Sequence, residues 1–312
     1  MPPSPDAIAG HPAAAAPRIA LVTDDRDWHA RMLVRAFASL GARARLVRLD
    51  ACRFDPAAPG GVSLPGFAAG LPEAVFVRTM AGGSFQAVTL RLGFLHALDA
   101  LGVRVWNTAR AVERCVDKST TSFLIARAGL PTPPSFACES RAAASAIVVR
   151  EGGTFVLKPL FGSQGRGLRL IRGADDLPPS EAVTGVYYLQ RFVERGGDGF
   201  HDFRLLVSRG RVVAAMMRHS AHWITNVKQG AKPLAAVADA AMKDLALAAA
   251  RAVGADFAGV DIILDRDGRP SVLEVNSMPA WSGLQRTTPL DIAAALAGDL
   301  VAALGAKAER AV

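Results

Sequence analysis

The stretch GVDIILDRDGRPSVLEVN, residues 259–276, has the pattern of a β-hairpin and decides the fold. Asp267-Gly268 between two apolar runs is a strong signal for a two-residue turn. With these residues as the turn, Asp265 faces Pro270 and Asp261 faces Glu274. Pairs alternate from the turn, so the pair 265–270 is not hydrogen-bonded and tolerates a proline. The pattern therefore predicts that Asp261 and Glu274 are direct neighbours across the hairpin.

Two opposed carboxylates repel each other unless a cation lies nearby. Asn276 follows Glu274 by two residues and so projects from the same face of its strand. Carboxylate and amide oxygens are the ligands that a hard cation such as Mg²⁺ prefers. We interpret Asp261, Glu274 and Asn276 as a metal site. The alternative is a solvated face of the hairpin, and a bulge in either strand would shift the register.

Length and composition indicate a globular protein. The chain has 312 residues, of which 51% are hydrophobic, enough for a sizeable core and two or three domains. It contains no apolar run that spans a bilayer, and residues 1–17 lack the pattern of a signal peptide. Cys52, Cys115 and Cys138 form neither a disulfide framework nor a zinc pair. We therefore expect a cytoplasmic protein without a membrane partner.

The net charge of +8 favours anionic partners such as nucleotides and acidic substrates. The basic residues are scattered, and aromatic residues make up only 6% of the chain. Nucleic-acid binding as the main function usually needs a basic patch with aromatic side chains for base stacking. Nucleic acid is therefore not an expected partner.

The order of predicted elements changes along the chain. Strands alternate with helices at 18–24, 27–40, 44–49, 74–78, 84–101 and 103–106, which predicts a parallel α/β domain. Strands then come in clusters with few helices, which is typical of α+β structure; the strands are at 154–159, 167–172, 187–193, 202–208, 211–217, 256–264 and 271–276, and the helices at 119–128 and 236–253. We predict a tail at 1–17, an N-terminal domain at 18–108, a central lid subdomain at 109–186 and a C-terminal subdomain at 187–312.

A lysine and a glycine-rich loop lie in the middle of the chain. Lys158 ends an apolar strand and precedes the loop 162–167, whose backbone N–H groups can approach phosphate oxygens. The lysine stands before the glycines and the loop lies between strands, so neither a P-loop nor a dinucleotide fingerprint is present. On its own the loop is also compatible with a plain hairpin, and Lys118 with a surface lysine.

The order of these features resembles the ATP-grasp superfamily and, within it, the RimK-like α-L-glutamate ligases. The matching stretches are VERCVDKS (112–119), KPLFGSQGRG (158–167), YLQRFVE (188–194), Asp202-Phe203-Arg204, RHSAHWITNVKQGA (218–231) and the hairpin. The resemblance covers residues 18 to about 306. It implies an ATP-grasp fold, in which an N-terminal parallel α/β domain precedes two α+β subdomains that clamp ATP.

The resemblance also implies roles for single residues. Residues implied to bind ATP are Lys118, Lys158, Gly162, Ser163, Gln164, Gly165, Gly167, Gln190, Phe192, Val193 and Asp202. Arg204, Arg218 and Asn226 are implied to surround the γ-phosphate and the substrate carboxylate. Asp261, Glu274 and Asn276 are implied to hold two Mg²⁺ ions, with Mn²⁺ as a substitute. The roles of Arg191, Trp223, Lys228 and the segment 194–201 stay open, as does the choice between Asp198 and Asp202 at the ribose.

The implied enzyme is an acid–amino-acid ligase. The acceptor carboxylate attacks the γ-phosphorus of ATP, and the amine of L-glutamate then attacks the acyl phosphate. Family members act on a ribosomal or carrier protein or on a small coenzyme, and homo-oligomers are common among them. The ending PAWSGLQRTT (279–288) is most similar to ligases of tetrahydromethanopterin-type pterins. Ligation to a protein C-terminus, a non-enzymatic nucleotide-binding regulator and an RNA- or ribosome-binding protein remain the alternatives.

Overall fold

The computed structural model describes residues 16–162, 164–195 and 199–309. Ser163, Asp198 and residues 1–15 of the predicted tail lie outside the described residues. Three larger sheets and one two-stranded ribbon make up the described β-structure. No helix in the described ranges is both long enough and apolar enough to cross a membrane.

The first sheet is parallel, as predicted, with the strand order β2-β1-β5-β6. Its two helices begin at side-chain caps: Asp27 accepts from the N–H of Ala30, and Ser84 from that of Ala87. The elements of this part are β1 (Arg18–Val22), α1 (Trp28–Ser39), β2 (Arg43–Val47), β3 (Arg53–Phe54), β4 (Val62–Ser63), β5 (Ala74–Val77), α2 (Phe85–Ala100) and β6 (Arg104–Trp106). The short ribbon β3–β4 was not predicted.

The second sheet is antiparallel, with the order β7-β10-β8-β9. The elements from Ala109 to Arg191 are α3 (Ala109–Val116), α4 (Lys118–Arg127), β7 (Ser135–Cys138), α5 (Arg141–Glu151), β8 (Phe155–Lys158), β9 (Arg169–Ile171) and β10 (Tyr187–Arg191). The sequence did not predict α3, β7 or α5. Only Ala144 and Val148 of α5 are buried, so its apolar stripe is too narrow to be read as a helical period.

Strand β10 pairs with both β7 and β8 inside the second sheet. The predicted boundary at residue 187 places this strand with the C-terminal part instead. The difference arises because sequence order gives the positions of strands but not their partners, and β10 returns to a sheet begun about 50 residues earlier.

The third sheet is antiparallel, with the order β13-β12-β11-β14-β15. Its elements and the helices around it are β11 (Phe200–Ser208), β12 (Arg211–Ser220), β13 (Lys232–Ala235), α6 (Ala240–Val253), β14 (Phe257–Leu264), β15 (Pro270–Asn276), α7 (Ser282–Gln285) and α8 (Ile292–Glu309). Helix α6 packs on one face of the sheet. The other face shares a core with the first sheet and α8, so these two sheets are joined by apolar packing.

Asn107 adds a polar connection between the first and third sheets. It is fully buried at the end of β6, and the peptide bond that precedes it is cis. Its Oδ1 accepts from the N–H groups of Asp256 and Phe257 at 2.6 and 3.1 Å. Its Nδ2 donates to the carbonyl oxygens of Phe257 and Ser277, both at 2.7 Å. One amide thus ties β6 to the start of β14 and to the segment after β15.

Candidate active site

An open cleft lies between the second and third sheets. Most of the predicted site residues line it: Lys118, Lys158, Gly162, Gln164, Gly165, Gln190, Phe192, Val193, Arg204, Arg218, Asn226, Asp261, Glu274 and Asn276. Two of the predicted residues that the structure describes do not. Gly167 lines a neighbouring cavity, and Asp202 is buried behind Arg218.

The hairpin of β14 and β15 places Asp261 opposite Glu274, as predicted. The predicted two-residue turn is wrong, because Leu264 pairs with Pro270 in place of Asp265. Residues 265–269 form the connection, and the N–H of residue 265 donates to the carbonyl of residue 269 at 3.1 Å. A bulge near Leu273 then shifts the register back by one residue. The two offsets cancel, so the carboxylates still oppose each other.

Asp261 is neutralised by arginines. It is buried and forms ion pairs with Arg204, whose Nη2 lies 2.8 Å from Oδ2, and with Arg218, whose Nη2 lies 2.9 Å from Oδ2. Burial alone would raise the pKa of Asp261, but the two guanidinium groups hold it below its usual value. The repulsion between the two carboxylates therefore no longer requires a metal at Asp261.

Glu274 and Asn276 retain oxygens that can bind a cation. The Glu274 carboxylate forms no ion pair or hydrogen bond with a described residue, and Asn276 donates from Nδ2 to the carbonyl of Gly259 at 3.3 Å, which leaves Oδ1 free. No cluster of three His, Cys, Asp or Glu side chains that could hold a metal occurs among the described residues. A hard cation thus fits at Glu274 and Asn276, with Asp261 available if Arg204 moves.

Two lysines project into the cleft without a carboxylate partner. Lys158 is buried, and its Nζ donates to Oε1 of Gln190 at 2.5 Å. Lys118, at the start of α4, donates to the carbonyl of Gly162 at 2.8 Å. Burial lowers the pKa of both lysines, while the charge of Glu274 acts in the opposite direction. Both ammonium groups can therefore gain from an anionic ligand.

Arg195 is a further cationic residue of the cleft, which the sequence did not single out. Its Nη2 donates to the carbonyl of Trp223 at 3.4 Å. Its Nε and Nη1 are buried and have no hydrogen-bond partner among the described residues. Sequence alone offered little signal, because Arg195 follows an apolar strand and precedes a glycine-rich segment.

The described lining of the cleft contains seven cationic side chains and two carboxylates. Phe192 and Trp223 meet edge to face, with ring centroids 6.3 Å apart, and form an apolar wall. The glycine loop lies against residues 224–229: Gln229 donates to the carbonyl of Gln164 at 3.2 Å. A side chain at Gly165 would have its Cβ 2.9 Å from Ile224. A positively charged cleft with an apolar wall and a loop cover suits a planar ring that carries several phosphates.

Comparisons with known proteins agree with this geometry. Residues 115–300 match the family described as RimK-like ATP-grasp domain. The tetrahydromethanopterin:alpha-L-glutamate ligase of Methanococcus maripaludis is 36% identical over 197 residues, which cover 61% of this chain and 67% of that protein. The ligase of the same name from Methanosarcina acetivorans is 29% identical over 308 residues, 84% of this chain and 92% of that protein.

Solved structures are similar along nearly the whole chain. The ATP-grasp ligase PsnB, complexed with a phosphomimetic variant of minimal precursor, Mg and ADP, has a TM-score of 0.72 at 21% identity and covers 92% of this chain and 98% of its own. The RimK domain protein from Sphaerobacter thermophilus has a TM-score of 0.66 at 23% identity, over 91% and 99% of the two chains. These likenesses establish the ATP-grasp fold.

Proposed function

The chain belongs to the RimK-like ATP-grasp family and is an ATP-dependent ligase, and we propose that it adds L-glutamate to the carboxylate of an acceptor. The observation that carries this proposal is the excess of cations in the cleft, with seven positive side chains against two carboxylates. Such an excess is unfavourable in the free protein and is offset when a triphosphate and a substrate carboxylate bind.

The first step forms an acyl phosphate. A carboxylate oxygen of the acceptor attacks the γ-phosphorus, the bond to the bridging oxygen breaks, and ADP leaves with that electron pair. Lys118 and Lys158 line the cleft, and in this proposal they neutralise the phosphate oxygens. A Mg²⁺ held by Glu274 and Asn276, with Asp261, would supply further neutralisation of the transferring group.

The second step forms the amide. The amine nitrogen of L-glutamate attacks the acyl carbon, the C–N bond forms, phosphate leaves, and the amine loses a proton. Water would destroy the acyl phosphate, so the cleft must be covered during both steps. In this proposal the cover is the loop around Gln164 and Gly165, which contacts residues 224–229.

For the acceptor we propose a small coenzyme of the tetrahydromethanopterin type. The support is that two relatives named as ligases of this coenzyme align with this chain over most of their own length. A cytoplasmic location, a homo-oligomeric state and the use of Mn²⁺ remain predictions.

Mass spectrometry with variants of Glu274 tests the proposal. We expect the wild-type protein with Mg²⁺, ATP, L-glutamate and tetrahydromethanopterin to release ADP and to form a product heavier by one glutamyl unit. Glu274→Gln should abolish this product, because it removes the one free carboxylate charge of the described cleft. Glu139→Gln, at an exposed position, is the matched control. Retained activity in Glu274→Gln would refute the metal role, and absence of any glutamyl product from the wild type would refute the function.

A further inference from the structure

A second candidate site lies at the carboxyl edge of the first sheet, in the region between the ends of β1 and β5, which we call the crevice. The connection from β1 leads to β2 on one side, whereas β5 lies on the other side of β1, so the strand order reverses between β1 and β5. In open parallel sheets, ligands bind outside the carboxyl ends of the strands at this point. Here the two strand ends are followed by Thr23 and Arg78, and the N–H of Asp24 donates to the hydroxyl of Thr79 at 2.9 Å.

Arg78 is a buried cation whose hydrogen-bonding groups are not used. Only 4% of the residue is exposed. Its guanidinium forms no hydrogen bond with a described residue, and its Nε is buried. The facing carboxylate is that of Asp27, with Oδ2 3.5 Å from Nη2. The ring of Trp281 covers the guanidinium, with its centroid 5.1 Å from Cζ.

The carboxylate of Asp27 is already engaged by other donors. Its Oδ1 accepts from the N–H of Ala30 at 2.8 Å, and its Oδ2 lies 2.8 Å from Nδ1 of His29. The Nε2 of His29 accepts from the N–H groups of Trp281 and Ser282, so Nδ1 carries the proton and donates to Asp27. The network is complete without Arg78. A buried donor left unpaired costs about 1–3 kcal/mol, so an acceptor at the Nε of Arg78 would be stabilising.

Two segments connect this crevice with the ATP cleft. Asn226 lines the cleft and precedes Lys228 by two residues, a step of at most ~7 Å. Val227, the residue between them, packs against the apolar cluster that contains Trp281, so this segment lies beside the crevice. Asn276 also lines the cleft, and the segment that follows it leads to Trp281. The crevice therefore adjoins the place where the proposed reaction occurs.

We propose that Arg78 binds a carboxylate of one of the two substrates and anchors a subsite at the strand-order reversal of the first sheet. The inference rests on the proposed function, in which both L-glutamate and the acceptor carry carboxylates. A guanidinium can donate two parallel hydrogen bonds to a carboxylate, which fixes its orientation as an ammonium cannot. The arginines near the cleft centre, Arg204 and Arg218, form short ion pairs with Asp261 and Asp202. The ion pair of Arg78 with Asp27 is long, at 3.5 Å, and leaves the Nε of Arg78 without a partner among the described residues.

Equilibrium binding to the wild type and to Arg78→Gln tests this assignment. L-glutamate and tetrahydromethanopterin are titrated separately, each with Mg²⁺ and a non-hydrolysable ATP analogue present. We expect Arg78→Gln to weaken one of the two probes by about 30-fold or more and to leave the affinity for the ATP analogue unchanged. Arg78→Lys should cause an intermediate loss of affinity, because it keeps the positive charge but cannot donate two parallel hydrogen bonds to a carboxylate. Arg35→Gln, which removes the same charge from an exposed position on α1, should change neither.

The NMR resonances of the His29 ring provide a readout that does not depend on turnover. The resonances are assigned by their absence from the spectrum of His29→Gln. In the Arg78 variants without ligand, the same resonances show whether the crevice is folded. In the wild type these resonances should shift when the probe that binds Arg78 is added. If Arg78→Gln loses affinity for L-glutamate, the amino acid is the ligand of Arg78. If it loses affinity for tetrahydromethanopterin, the acceptor is the ligand. Unchanged affinity for both probes, or no shift with either, overturns the inference. A protein that binds a probe through Arg78 but forms no glutamyl product would refute only the proposed function.

Discussion

At the scale of single residues, the buried charge of Lys158 lowers the stability of the protein but suits the binding of an anionic ligand. Its ammonium is buried and donates to a neutral amide, Gln190. Because burial lowers its pKa, the protonated lysine opposes folding at neutral pH. The group is therefore retained at a cost in stability, which is typical of a residue that awaits a charged ligand.

Lys158→Met should thus change binding and stability in opposite directions. We expect the affinity for Mg²⁺–ATP to fall about 100-fold, because a phosphate-facing cation is lost. The free energy of unfolding should stay the same or increase, because an apolar side chain replaces a buried charge. Calorimetric titration and denaturant unfolding measure the two effects. Lys243→Met, at an exposed position on α6, serves as the control, and an unchanged ATP affinity in Lys158→Met would contradict the assigned role.

Sequence patterns located the charged residues of the cleft better than their partners. Lys118, Lys158 and Glu274, to which the family resemblance assigns site roles, line one cleft. The ion pair between Arg204 and Asp261 was not predictable, since 57 residues separate them and only the pairing of β11 with β14 brings them together. Because of this ion pair, the charge of Asp261 is neutralised without a metal ion.

At the scale of elements, the hairpin shows why a register count from a turn is fragile. The Asp265 carboxylate accepts from the N–H groups of Asp267 and Arg269, both at 2.9 Å, which organises a longer connection than Asp-Gly alone suggests. A bulge near Leu273 compensates for this longer connection. The alternation of apolar residues indicates the two faces of a strand but does not reveal an inserted residue. Neither the longer connection nor the bulge could therefore be predicted from the sequence.

The contact between His29 and helix α7 predicts a pH dependence. His29 is held neutral while its Nε2 accepts from the first N–H groups of α7, and the groups that face it are Asp27, Arg78 and Lys228. Burial is the main reason that its pKa is lowered. Between this lowered value and the ordinary value of about 6.5, the unfolded chain binds more protons than the folded chain. Stability should therefore fall on acidification through this window and be constant above it.

Denaturant unfolding at pH 5 to 8 measures this contribution in the wild type and in His29→Gln. The variant should lose the slope due to His29, at most about 1.4 kcal/mol per pH unit, even if its stability is lower at every pH. Asp27 remains ionised throughout this range, because its pKa lies below the ordinary value. His96→Gln, whose ring is half exposed, is the control. Equal slopes in the wild type and His29→Gln would contradict a buried neutral His29.

At the scale of the whole molecule, the first and third sheets behave as one body and the second sheet has its own core. One apolar cluster contains Leu21 and Phe76 of the first sheet together with Phe257 and Leu296 of the C-terminal part. The core of the second sheet, around Phe155 and Leu189, is separate from that cluster. Apolar periodicity predicted these strands but not which sheets share a core, because that depends on contacts across more than 150 residues. Among the described residues, the second sheet therefore shares no apolar core with the other two sheets.

Asn107 supplies the polar part of the joint between the first and third sheets, and its removal should be costly. Asn107→Ala leaves two buried N–H groups and two buried carbonyl contacts without their partner, so we expect a loss of about 3–5 kcal/mol in the free energy of unfolding. Asn107→Asp should cost more, because a carboxylate oxygen would face the carbonyls of Phe257 and Ser277. Thr132→Val removes a single long-range hydrogen bond, to the carbonyl of Val272 at 2.8 Å, and should cost only about 1 kcal/mol. Denaturant unfolding compares the three variants. A cost for Asn107→Ala no larger than that of Thr132→Val would mean that apolar packing alone holds the two sheets together.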